Sequence, residues 1–214
     1  MWHRLCKLYH QDSFPKKEVI CMLSTLKRVK RGEKGFTLIE LLVVAAIIGI
    51  LLAIAIPNLI KARMSANEAN ARKSMQTLRD AEGEYFEQDL NNDGERNFTS
   101  NITVLRDPEG TGEEVDALVD SSFDLAVCEA GSTDGSCCDD PKAGYCITWD
   151  SAEVAEGDDL DDIAWQTSMT SFNKTGRRDF SVYGDGAIRC TISTVGTAGT
   201  PGQFEANRDT AGCD

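Results

Sequence analysis

The longest apolar stretch of the chain covers residues 36–60 and contains one charged residue, Glu40. A helix built from it is apolar on every side, as expected for a segment that lies in lipid or inside a bundle of helices. About 20 such residues suffice to cross a bilayer core, so the stretch predicts a membrane-spanning helix. Pro57 lies inside it and predicts a kink or a local loosening, because helix-forming residues resume directly after the proline.

The helical pattern continues past the apolar stretch but becomes amphipathic. Ala71, Met75, Leu78 and Tyr85 recur at spacings of four, three and seven residues, which places them on one helical face. Charged residues mostly occupy the other faces, so this face is expected to pack on a folded domain. The sequence therefore predicts one helix over residues 36–88, about 80 Å long at 1.5 Å per residue.

Short β elements are predicted after the helix. Turn residues stop it at positions 89–94, and the helical period is lost beyond them. Aromatic and β-branched residues predict strands at 145–149 and within 163–172. Residues 179–192 predict a hairpin around Gly184-Asp185-Gly186. These elements predict an α+β fold in which the second half of a long N-terminal helix packs on a small antiparallel sheet.

Charge separates at the start of the apolar stretch. Residues 1–35 have a net charge of +6 and residues 36–214 a net charge of −19. A basic segment before an apolar one favours retention of that segment on the cytoplasmic side, so the acidic remainder would cross the membrane. Nucleic-acid binding by the acidic part as a whole is disfavoured, because phosphate contacts need clustered Lys and Arg.

The start of the apolar stretch, Gly35-Phe36-Thr37-Leu38-Ile39-Glu40, resembles the processing site of type IV prepilins and of the pseudopilins of type II secretion. The resemblance is close over residues 35–60 and looser to about residue 86. It implies cleavage between Gly35 and Phe36 by prepilin peptidase, and N-methylation of Phe36. It further implies storage in membrane lipid, followed by assembly with copies of itself and other pilins at an inner-membrane assembly platform.

The resemblance and the patterns together divide the chain into four parts. These are a cleaved leader (1–35), a transmembrane and filament-core helix (36–60), its amphipathic continuation (61–88) and an acidic, cysteine-containing, β-rich head (89–214). The implied fold is a pilin-like ladle with a disulfide-tied C-terminal region. Translation from Met22 would give a shorter and more typical leader, and this start is an alternative to the long leader.

Glu40 is the predicted assembly residue, and the resemblance also assigns Pro57 to the assembly helix. Cleavage would create a charged amine on Phe36, four residues before the carboxylate. Within one subunit the two groups approach along the helix, whereas in a fibre Glu40 can meet the amine of a neighbour. Leaving one partner of a buried ion pair unpaired costs roughly 3–5 kcal/mol, so Glu40 would fix the height at which subunits dock. The alternative is an unpaired carboxylate at the membrane edge.

Six cysteines follow the predicted cleavage site, and an even number in an exported domain predicts disulfides. They are Cys128, Cys137, Cys138, Cys146, Cys190 and Cys213. Cys137 and Cys138 are adjacent and are expected to reach different partners, while a Cys190–Cys213 pair would resemble the closed C-terminal loop of many pilins. A metal cluster is disfavoured, because the spacing lacks the short Cys-x2-4-Cys pairs of structural zinc sites. The Gly- and Thr-rich tail, residues 193–214, is expected to be irregular and held only by Cys213.

Asp89, Asn91 and Asp93, followed by Gly94, occupy the first, third, fifth and sixth places of a calcium loop. The EF-hand form is excluded, because its twelfth place holds Ser100 instead of Glu. Two interpretations therefore stay open, namely a calcium site completed by other oxygens and a plain helix-ending turn.

No catalytic site is predicted. Both histidines, His3 and His10, precede the predicted cleavage site, and no phosphate-binding loop or serine-nucleophile motif occurs. The predicted function is that of a structural subunit of a type IV pilus-like filament, without a cofactor. The chain would first be a single-pass protein of the bacterial cytoplasmic membrane with its head outside the cytoplasm, and then part of a periplasmic or extracellular filament. Alternatives are a type II secretion pseudopilin and a minor, tip-located pilin that acts as a binding module.

Overall fold

The computed structural model describes residues 36–90, 94–108, 110, 117–129, 132–157, 160–194 and 197–213. The chain divides into two compact units, Met1–Val44 and Ala45–Asp214. Helix α1, Leu38–Gln88, begins in the first unit and ends in the second, and Pro57 lies inside it. The predicted long helix is confirmed, and the kink at Pro57 stays a prediction.

The apolar face predicted for the second half of α1 is buried. Ala71, Met75, Leu78 and Tyr85 are each at most 1% exposed, as the 3.6-residue period requires. Glu82 is completely buried on the same face. This face of α1 forms one side of the hydrophobic core.

The sheet has four antiparallel strands in the order β1-β2-β3-β4, so each strand pairs with the next along the chain. The strands are β1 (Tyr145–Trp149), β2 (Ala164–Met169), β3 (Arg178–Tyr183) and β4 (Ile188–Ile192). They confirm the strand and hairpin predictions, and with α1 they give the predicted α+β fold.

A short helix, α2 (Ile102–Arg106), lies where the sequence indicated no helical period, so that prediction was wrong. The Asn101 side chain caps it by accepting hydrogen bonds from the Thr103 amide (3.0 Å) and hydroxyl (2.7 Å). Ile102 and Leu105, three residues apart, are buried in the core. A single turn stabilised by one cap and two core contacts is too short to produce a periodic pattern.

One face of the sheet is apolar and packs on α1. Trp149 and Trp165 meet edge to face on it, with ring centroids 5.1 Å apart. The Trp165 indole Nε1 donates a hydrogen bond to Glu82 Oε1 at 2.8 Å, and the Thr99 amide donates to Glu82 Oε2 at 3.2 Å. Glu82 therefore connects the helix to the sheet through the core.

The opposite face of the sheet is polar, yet the C-terminal tail buries it. Gln166 Nε2 on β2 donates to the Ala206 carbonyl (3.1 Å), and the Ser168 hydroxyl donates to the Gln203 carbonyl (3.0 Å). Gly202 approaches so closely that an added Cβ would lie 2.4 Å from Ser168 Oγ. The expectation that only Cys213 holds the tail was therefore wrong, because the polar face of β2 supplies hydrogen bonds that a Gly- and Thr-rich sequence does not reveal.

Three disulfides join all six cysteines after position 36. They are Cys128–Cys137, Cys138–Cys146 and Cys190–Cys213, with Cα separations of 5.4, 5.6 and 5.4 Å. These separations lie in the usual range for disulfides. The disulfide prediction, the separate partners of Cys137 and Cys138, and the Cys190–Cys213 pair are confirmed.

Two carboxyl groups buried in this unit give a testable pH dependence. Burial raises the pKa of Asp179 to about 8, although a hydrogen bond from the Ser168 hydroxyl (2.5 Å) opposes the rise, and the Glu205 carboxylate adds repulsion. Burial likewise raises the pKa of Glu82, which lies outside the apolar stretch 36–60, to about 8 against its hydrogen bonds from Trp165 and Thr99.

The folded chain therefore keeps two protons that the unfolded chain releases near pH 4 to 5. The two protonated carboxyl groups contribute fully to the free energy of unfolding below pH 4 to 5. This contribution is lost as the pH rises toward 8. We expect the free energy of unfolding to fall between pH 5.5 and 7.5 by about 1.4 kcal/mol per pH unit for each group. Replacing Asp179 with Asn, whose side-chain amide can keep a hydrogen bond with the Ser168 hydroxyl, should remove about half of this slope.

Denaturant titrations at several pH values would measure the slope. Asp139→Asn is the matched control, because Asp139 is exposed, and it should leave the slope unchanged. Equal slopes for Asp179→Asn and the unmodified chain would contradict the assignment of a buried, protonated Asp179.

Candidate processing and assembly site

Thr37 follows Phe36 and directly precedes the first residue of helix α1. The Glu40 amide donates to the Thr37 hydroxyl (3.3 Å) and to the Thr37 carbonyl (3.1 Å), so Thr37 caps the first turn. A Thr-x-x-Glu spacing is typical of helix N-termini, where the partial positive charge of the helix also favours a carboxylate. Gly35, the other half of the predicted cleavage site, lies outside the described residues.

The apolar stretch 36–60 exposes all of its large side chains. Each of its Phe, Leu, Ile and Val residues is at least 45% exposed. Helix α1 is long and apolar enough there to cross a membrane. Burying one such side chain is worth about 1.5–3 kcal/mol, so this surface is stable only when lipid or other helices cover it.

Glu40 is the only acidic residue of this stretch, and it is exposed. No Lys or Arg of the described residues forms an ion pair with it. The next charged residues along the helix are Lys61 and Arg63, which are exposed directly after the apolar stretch. The carboxylate is thus available to a cation supplied by processing or by another subunit.

The predicted calcium residues are only partly described, because Asn91 and Asp93 lie outside the described residues. Asp89 has a positive φ of 47°, and its Oδ2 accepts a hydrogen bond from the Gly94 amide at 3.1 Å. This contact closes the turn after α1. Calcium binding at this turn stays a prediction.

Three cysteine sulfurs come close enough together to suggest a metal cluster. The Sγ atoms of Cys128, Cys138 and Cys146 lie within 4.8 Å of one another. Each of them is bonded in a disulfide, and a metal ligand must be a free thiolate. The cluster is therefore the result of two neighbouring disulfides.

Sequence reasoning missed two buried carboxyl groups, Glu82 and Asp179. Glu82 follows Leu78 by four residues and precedes Tyr85 by three, so the helical period already placed it on the buried face. Asp179 alternates with Phe180 and Val182 on β3, which places it on the opposite, polar face. In both cases the residue spacing places the side chain on a defined face. Its burial was missed because a charged residue is not expected in a protein interior.

Residues 30–56 match the family model of the prokaryotic N-terminal methylation motif. The type IV major pilin protein PilA of Myxococcus xanthus is 44% identical over 61 residues, which are 28% of this chain and 28% of that protein. The start of this chain is similar to the N-terminal segment of type IV pilins. The chain is also 66% identical over 38 residues to the type IV wide pilus major component PilA4 of Thermus thermophilus, covering 18% of this chain and 29% of the relative.

A third relative is the type IV narrow pilus major component PilA5 of Thermus thermophilus, 50% identical over 48 residues, or 22% of this chain and 41% of the relative. The chain therefore spans less than half the length of each of these pilins. No solved structure matches the chain significantly. The matches cover at most 28% of this chain and carry no information on the function of the head.

Proposed function

We propose that this protein is a structural subunit of a type IV pilus-like filament. The observation that carries the proposal is the exposed apolar surface of residues 36–60, in which Glu40 is the only charged residue. Such a surface needs an apolar cover on all sides, which lipid supplies before assembly and neighbouring helices supply in a filament. The pilin relatives, which are named as pilus components, carry the same type of segment.

Assembly in this proposal exchanges one apolar environment for another. The large side chains stay out of water throughout, so their transfer from lipid to a helix bundle changes the free energy little. The Glu40 carboxylate, in contrast, is costly when it is unpaired in an apolar medium and gains the amine of Phe36 on a neighbouring subunit. Pairing at this one residue would make correct docking more favourable than docking at a wrong height.

Processing and orientation belong to the same proposal. The prepilin peptidase would cleave between Gly35 and Phe36 and Phe36 would be N-methylated, with the +6 leader on the cytoplasmic side. The head, residues 89–214, would lie outside the cytoplasm, where its three disulfides are stable. An inner-membrane platform would then move the subunit into the filament.

Gly35→Leu should block processing and filament formation together, because a bulky side chain would stand at the bond to be cut. The expected result is a chain that keeps its leader, stays in the membrane and is absent from sheared filaments. Immunoblots of membrane and sheared fractions would measure this. Gly83→Ala is the control, because nothing lies within 4 Å of a Cβ at Gly83.

Normal filaments built from uncleaved Gly35→Leu chains would contradict the proposal. The amount of the unmodified chain in the sheared fraction also separates the alternatives. A major pilus subunit should dominate that fraction, a tip-located pilin should be a trace component, and a pseudopilin should be absent from surface filaments at natural expression.

A further inference from the structure

A cleft of about 670 Å³ opens in the head, beside the polar face of the sheet. Its walls come from the end of β1 and the loop after it, from Gln166 on β2 and from residues 203–207 of the tail. The volume lies in the range typical of small-molecule sites. The proposed filament function does not use this cleft.

Gln166 presents a fixed hydrogen-bond acceptor to the cleft. The residue is only 6% exposed, and its Nε2 donates to Asp150 Oδ2 (2.8 Å) and to the Ala206 carbonyl (3.1 Å). These two acceptors fix the orientation of the amide. Its Oε1 has no hydrogen-bond partner among the described residues, so it is available to a donor in the cleft.

The acidic side chains of the cleft are already engaged by protein groups. Asp150 Oδ2 also accepts from the Tyr183 hydroxyl at 2.8 Å, and Asp150 Oδ1 accepts from the Ala152 amide at 3.2 Å. Glu205 accepts from the amide (2.8 Å) and the hydroxyl (2.5 Å) of Thr194. Because these carboxylates already accept hydrogen bonds from protein groups, a bound cation is less necessary to balance their charge.

The charges of the lining also exclude anionic ligands. No Lys or Arg is among the described residues that line the cleft, and anions such as phosphates or sialic acids need such a partner. The third carboxylate, Glu153, is paired with Arg208 at 3.6 Å. A neutral ligand that is rich in hydrogen-bond donors and acceptors fits this lining better than an ion of either sign.

The remaining lining combines amides and hydroxyls with apolar surface. Gln203, Asn207 and Ser151 supply the polar groups, and the half-buried ring of Phe204 supplies the apolar part. A sugar has hydroxyl groups that both donate and accept, and C–H faces that pack on aromatic rings. We propose that the cleft binds a neutral carbohydrate, made of hexose or N-acetylhexosamine units.

The test uses the full mature chain in detergent micelles on an array of neutral, sialylated and sulfated oligosaccharides, followed by titration. Trp149 lines the cleft, and Trp149 and Trp165 are the only tryptophans of residues 36–214, so indole fluorescence reports binding. We expect neutral glycans to bind and to change the fluorescence. Binding confined to anionic glycans, binding of spermidine in place of sugars, or no glycan binding at millimolar concentration would each overturn the proposal.

Two variants locate the site. Gln203→Ala should weaken binding about 5- to 10-fold, because it removes one hydrogen-bonding group, while the Gln203 carbonyl that accepts from Ser168 is retained. Ala152→Trp should abolish binding by filling the cleft. Gln76→Ala, an exposed glutamine on α1, is the matched control. Normal incorporation of all three variants into filaments would show that they fold, and unchanged glycan affinity in the two cleft variants would refute the site.

Discussion

Glu40→Leu should abolish filament assembly while leaving the processed chain in the membrane. The substitution removes the only charged side chain of residues 36–60, so membrane insertion should be as good as before or better. It also leaves the Phe36 amine of each neighbour without a partner inside the filament. Removing one partner of a buried ion pair costs roughly 3–5 kcal/mol, which corresponds to a loss of about 100-fold or more in the affinity for adding a subunit.

The measurement is the ratio of sheared filament to membrane-held chain by quantitative immunoblot. Glu84→Leu is the matched control, because Glu84 is exposed on the same helix and its carboxylate accepts a hydrogen bond from Gln88 Nε2 at 2.8 Å. It should assemble normally. Glu40→Asp keeps the charge on a shorter side chain and should fall between the two. Filaments of Glu40→Leu at the normal ratio would remove Glu40 from the assembly mechanism.

Removing the Cys190–Cys213 disulfide should cause the largest loss of head stability among the three disulfides. It joins residues 23 positions apart, whereas the other two join residues 9 and 8 positions apart. Constraint of the unfolded chain grows with loop length, and a loop of this size is worth about 3 kcal/mol. The bond also fixes the end of the tail, where the Cys190 amide donates to the Ala211 carbonyl at 3.3 Å and the Cys213 amide to the Ile188 carbonyl at 3.4 Å.

A Cys190→Ser/Cys213→Ser double variant in the full mature chain would test this by denaturant unfolding followed through indole fluorescence. Both reporters, Trp149 and Trp165, are at most 1% exposed in the folded head, so unfolding changes their environment fully. Cys128→Ser/Cys137→Ser is the comparison and should lose less stability. A loss below about 1 kcal/mol for the first variant would show that hydrogen bonds, and not the disulfide, hold the tail.

The elements that could be predicted from the sequence are those with a sustained period. The face of Ala71, Met75, Leu78 and Tyr85 repeats over four turns, and β1 to β4 alternate or carry β-branched and aromatic residues. Each is decided by local side-chain geometry, which the sequence contains. The apolar stretch 36–60 is of the same kind.

The features that could not be predicted depend on contacts between distant residues. Helix α2 is a single turn whose stability comes from a cap and from the core. The tail, residues 197–213, lies on the polar face of β2 through hydrogen bonds to Gln166 and Ser168, and nothing in its Gly- and Thr-rich composition indicates this. The sequence also left the pairing of Cys128 with Cys137 undecided, because Cys137 and Cys138 are adjacent and each could reach several partners.

The proposed carbohydrate cleft also depends on contacts between distant residues. Gln166, Asp150 and Gln203 are separated along the chain and come together only when the tail crosses the sheet. Sequence patterns identify the long apolar segment, because that segment is continuous. They do not identify a site built from four separate segments of the head.

Intact-mass and N-terminal peptide mass spectrometry of the chain from sheared filaments tests the central claim most directly. The account predicts an N-terminal peptide that begins with methylated Phe36, and an intact mass lower by six hydrogens than that of the reduced chain, as three disulfides require. A chain that still begins at Met1 or Met22, or one that begins with unmethylated residues elsewhere, would contradict the assignment of this protein as a processed filament subunit.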